Sequence, residues 1–82
     1  MTNETPCTPD DFIRAANRTA GLAAFGRTEE DGTTRIMVRA RGPHGENWHT
    51  YTFDADGLLD AGPATMSRCH RLLERQRIPA DA

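Results

Sequence analysis

Apolar and polar positions along this chain follow three successive rhythms. From Thr8 the period is near 3.6. Stepping 100° per residue, Phe12, Ile13, Ala16, Thr19, Ala20 and Ala23 share one face, and Asp11, Arg14, Asn17 and Arg18 the other. Thr8-Pro9-Asp10-Asp11 reads as a helix start. Thr8 can N-cap, Pro9 suits the first helical position, and two carboxylates sit at the positive end of the dipole. Gly26 is the expected stop just beyond the C-terminus. The spacing therefore predicts a helix over 9–24, with an alanine-rich inner face that lets a neighbour approach closely.

After the charged turn RTEEDG at 27–32, the period drops to two. Over Thr33 to Arg41, Thr34, Ile36, Val38 and Ala40 point one way and Arg35, Met37, Arg39 and Arg41 the other, which predicts a strand with one core face and one wet face. Gly42-Pro43-His44-Gly45-Glu46 is a turn cluster that links a hairpin. Asn47 to Phe53, rich in aromatic and β-branched residues, is the second strand. His49, Tyr51 and Phe53 share one of its faces, Trp48, Thr50 and Thr52 the other. Asp54-Ala55-Asp56-Gly57 reads as a type I turn with glycine in the left-handed position. Leu58 and Leu59 are then expected as a short third strand.

Gly62-Pro63 opens the last segment, where the helical period returns. Met66, Cys69, Leu72 and Leu73 form an inner face, with Arg68, Arg71 and Arg75 in line opposite, until Ile78-Pro79 ends it. The predicted fold is α+β, ordered α-β-β-(β)-α, with two amphipathic helices on one face of a two- or three-stranded antiparallel sheet. Residues 1–7 are expected as a disordered N-terminal tail, 8–78 as the single domain and 79–82 as a C-terminal tail.

Composition narrows the function classes. With 82 residues there is room for one domain, whose stability is expected to be modest. Hydrophobic residues at 37% and charged residues at 27% are too balanced for a disordered tail. A net charge of -2 lacks the global basic field of an obligate nucleic-acid binder. All ten basic residues are arginine, which makes bidentate contacts that lysine cannot. The start MTNETPCTPDDF has neither a positive nor an apolar leader region, and no apolar run reaches 18 residues. A cytoplasmic protein without membrane contact is expected.

Four groups of residues bear on function. If Tyr51 and Phe53 join Ile36 and Val38 in the core, the pleat sets Trp48 on the wet face beside Arg35, Arg39 and Arg41. Tryptophan and arginine dominate interface hot spots and also stack on nucleic-acid bases. The other reading has Trp48 folding back into a small core, or a one-residue bulge flipping the face. The stripe Arg68, Arg71 and Arg75 suits phosphates or an acidic partner, or is an ordinary solvated helix face. Asp54, Asp56 and Asp60 resemble the start of a calcium loop, but the twelfth position is Thr65, so they read as turn residues. Cys7, His44, His49, Cys69 and His70 lack the paired spacing of a zinc site.

Neither a metal nor a cofactor is implied, and no nucleophile elbow, phosphate loop or acid–base pair is present to imply catalysis. The leading expectation is a small non-enzymatic binding protein that acts through protein–protein contacts, as small regulators and phage- or mobile-element-encoded inhibitors of host defence complexes do. The partner-binding residues expected are Trp48, Arg35, Arg39, Arg41, Arg68, Arg71 and Arg75. The alternative is a nucleic-acid-binding module using the arginines of strand 1 and helix 2. Open sheet edges also make a homodimer with a shared sheet an expectation.

Overall fold

A computed structural model of the chain describes residues 4–79. The first helix, α1, spans Pro9–Arg18 and begins on a capping box. Thr8 Oγ1 accepts from the Asp11 N–H at 3.1 Å, and Asp11 Oδ2 accepts from the Thr8 N–H at 3.0 Å. Those bonds hold the Asp11 carboxyl below the usual carboxylate range.

The helix ends at Arg18, six residues before its amphipathic period suggests, with Thr19 as its C-cap. Gly21 then takes a left-handed φ of 82°, and the chain reverses into a strand, β1, over Leu22–Thr28. Leu22 and Ala24 point inward and are buried, while Phe25 points outward. Leu22–Ala24, read as the last turn of a helix, thus begin an edge strand, and Gly26, read as the helix stop, lies inside it. Gly26 fits there because a Cβ would come within 2.9 Å of Ile13 Cδ1 on α1.

Strands β2 (Thr34–Gly42) and β3 (Gly45–Phe53) follow the predicted alternation, and the sheet is antiparallel in the order β1-β2-β3. Ala24 faces Val38 across the first pair; Ile36 faces Tyr51 and Arg39 faces Trp48 across the second. The third strand is therefore β1, not Leu58–Leu59. After the Asp54–Gly57 turn, Leu59 makes single bridges to Phe53 and Gly62 and is fully buried.

The second helix, α2, spans Met66–Gln76 with Thr65 as its cap. Both helices pack on the inner face of the sheet, giving the order α-β-β-β-α. Phe12, Ala16, Ile36, Val38, Tyr51, Phe53, Leu59, Cys69 and Leu73 form the centre of the core. Phe12 meets Tyr51 and Phe53 edge-on, with ring centroids 4.9 and 5.8 Å away. The N-terminal segment is tied down earlier than its polarity suggests. The Met66 N–H donates to Thr5 O, the Cys7 N–H donates to Ala64 O, and Cys7 is buried. Residues 1–3 and 80–82 of the expected tails lie outside the described residues.

Candidate functional site

The helices cover one face of the sheet and leave the other open. That outer face carries Phe25 and Arg27 from β1, Arg35, Met37, Arg39 and Arg41 from β2, and Glu46, Trp48 and Thr50 from β3. Three large apolar side chains stand exposed on it: Phe25 at 56%, Trp48 at 47% and Met37 at 40%. The Phe25 and Trp48 rings meet above β2 in an edge contact, 6.0 Å between centroids and 66° between planes. Phe25 also walls a shallow hollow of about 370 Å³ shared with Arg27, Glu29, Arg35, Met37 and Thr50. Single exposed apolar residues are ordinary, but a contiguous group on one face marks a surface that gains by being covered.

The charges around this patch are mostly positive. Arg27 and Arg35 are exposed, while Arg41 pairs with Glu46 at 3.7 Å on an exposed rim, where a pair is worth only ~0.2–1 kcal/mol. Arg39 is half-buried, and its Nε is shielded from water with no hydrogen-bond partner among the described residues. Acidic residues gather instead in the loops at one end of the sheet. There the 29–33 loop touches the 54–60 loop, with Gly32 against Ala55. Separation of charge thus gives a chain of net charge -2 a basic sheet face.

Of the seven residues expected to bind a partner, the sheet brings four together: Trp48, Arg35, Arg39 and Arg41. The helix-2 arginines are elsewhere, because α2 packs on the opposite side of the sheet. Arg68 is bound into the fold, its Nη1 donating to Leu59 O and Pro63 O. Arg71 and Arg75 are exposed. Phe25 was not among the expected residues. Its signal lay in the sequence, since an aromatic at that position belongs to neither face of a 9–24 helix but fits the alternation Leu22-Ala23-Ala24-Phe25.

The interior holds two free thiols, Cys7 and Cys69, both buried. The hydrogen bond between them, with burial, holds the Cys7 proton far above the ordinary thiol range, and the same bond favours ionisation at Cys69. Tyr51 donates to Gln76 Oε1 at 2.7 Å, and Gln76 Nε2 donates to Val38 O at 2.6 Å. Burial, aided by the charge of Asp60, pushes the Tyr51 hydroxyl up to about 12. Asp54 Oδ1 accepts from the Asp56 and Leu58 N–H groups, as a turn residue does. Among the described residues, no three His, Cys, Asp or Glu side chains converge as metal ligands, and no helix is long and apolar enough to cross a membrane.

The chain matches no protein-family model, and comparison with the curated proteins and with the solved structures gives no significant match.

Proposed function

We propose that this is a non-enzymatic protein-binding domain that docks through the outer face of its sheet. The observation that carries the reading is the joined apolar patch of Phe25, Met37 and Trp48 among Arg27, Arg35 and Arg39. Aromatic, methionine and arginine side chains are the types enriched at the centres of protein interfaces. The partner is expected to present an apolar protrusion ringed by carboxylates. A domain that works by covering a partner regulates or inhibits it stoichiometrically, without turnover.

Two features favour a protein over a nucleic acid. Phe25 and Trp48 stand edge-on to each other and form a single wall, not two parallel plates on which bases stack. The arginines of β2 and of α2 lie on opposite sides of the sheet and form no common track for a phosphate backbone. Affinity capture compared across the wild type, Trp48→Ala and Arg39→Ala tests the reading. A protein retained by the wild type, lost by both variants and reconstituted as a purified complex supports it. Equal retention by all three overturns it.

A further inference from the structure

The open edge of β3 carries a second surface. Thr52 turns its backbone groups away from β2: its N–H donates to Asp60 Oδ1 at 2.8 Å, and its C=O accepts from the Asp60 N–H at 2.7 Å. Antiparallel ladders alternate the direction of backbone groups residue by residue. Thr50, Trp48 and Glu46 therefore point theirs the same way as Thr52. Among the described residues, none of these three has a backbone hydrogen bond outside the ladder.

Beside this edge, on the helix side, lies a groove of about 360 Å³ lined by Trp48, His49, Tyr51, Leu72 and Arg75. His49 shares the inner face with Tyr51 but stays exposed, at the rim of the groove. Leu72 and Tyr51 give the groove an apolar floor, Arg75 gives it a positive wall, and no carboxylate lines it. Arg71 continues the positive charge along the same side of the helix, around Leu72.

We infer that the β3 edge and α2 together form a binding groove for an extended acidic segment of a protein partner. The segment joins the sheet as a fourth strand against Glu46, Trp48 and Thr50, and sets a carboxylate against Arg75. Main-chain hydrogen bonds supply affinity in this mode, and alternate side chains supply specificity. A second copy of the chain fits less well, since pairing β3 with β3 brings two Arg75 side chains to the same side of the joined sheet. This inference rests on the protein-binding reading; its surface shares Trp48 with the outer face and otherwise uses the β3 edge and α2.

The test is an NMR titration of the full chain with a blocked heptapeptide of alternating valine and glutamate. The Trp48 and Thr50 amide signals are expected to shift and their hydrogen exchange to slow about tenfold or more. The same peptide N-methylated at alternate residues is expected to do neither. Arg75→Glu is expected to weaken binding about tenfold, and a peptide with arginine in place of glutamate to recover it. No response at millimolar peptide, or binding indifferent to N-methylation, overturns the groove. Shifts confined to Phe25, Arg35 and Met37 overturn it too, and leave the outer-face reading standing.

Discussion

The side chain of Asn17 takes the place of a neighbouring strand against Ala24. Its Oδ1 accepts from the Ala24 N–H at 2.9 Å and its Nδ2 donates to Ala24 O at 3.2 Å, so the last turn of α1 closes the outer edge of β1. Exposed edges invite pairing with other chains, and one carboxamide occupies this one at Ala24. Asn17→Ala is expected to lower stability by about 1–3 kcal/mol, through two lost bonds and an unpartnered backbone N–H and C=O. It is also expected to cause concentration-dependent self-association. Urea unfolding and sedimentation velocity check both effects; wild-type values in both would remove Asn17 from this role.

Asp60 and Ala61 form the tight turn between Leu59 and Gly62, with φ angles of 49° and 62°. The Leu59 N–H donates to Gly62 O, and the Gly62 N–H to Leu59 O, both at 2.9 Å. A two-residue loop with positive φ at both positions favours asparagine and glycine, and alanine there is strained. Ala61→Gly is expected to raise stability by about 0.5–1 kcal/mol, the relief of strain outweighing the added chain entropy. A lowered urea midpoint contradicts this.

Tyr51 links stability to alkaline pH. Its hydroxyl ionises near 10 when exposed and near 12 in the fold. Between those values the folded state keeps a proton that the unfolded state has lost, so its stabilising contribution is complete below pH 10 and lost as pH rises towards 12. The loss is on the order of 2 kcal/mol. Tyr51→Phe is expected to be less stable at neutral pH, without the bond to Gln76, but to lack this alkaline decline. Urea midpoints measured across that range for both proteins check it.

The parts of the fold legible in the sequence are those where one rhythm holds over a whole element. Alternation over 33–41 and 47–53 placed β2 and β3 and set Trp48 on the face of Arg35, Arg39 and Arg41; the pairing of Trp48 with Arg39 came with the structure. The β1 strand was hidden because Thr19, Ala20 and Ala23 are small enough to continue the helical face of Ala16, while the break depends on Gly21 adopting a left-handed φ. Leu58-Leu59 suggested a strand from hydrophobicity alone, whereas the turn at Asp60-Ala61 allows only isolated bridges. Half the candidate site was legible for the same reason. Trp48 and the arginines of β2 came from the pleat, and Phe25 emerged only when β1 replaced the end of the helix.

The central claim is that a protein partner covers Phe25, Met37 and Trp48. Titration of the captured partner into the labelled domain, followed on the Trp48 indole N–H and the Met37 methyl signals, tests it most directly. Both signals are expected to move together, and Trp48→Ala to weaken binding by roughly 30-fold or more, a loss of about 2 kcal/mol or more. Arg14→Ala and Arg18→Ala on α1 are expected to bind as the wild type does. Unmoved Trp48 and Met37 signals, with full affinity retained in Phe25→Ala and Trp48→Ala, would contradict the account.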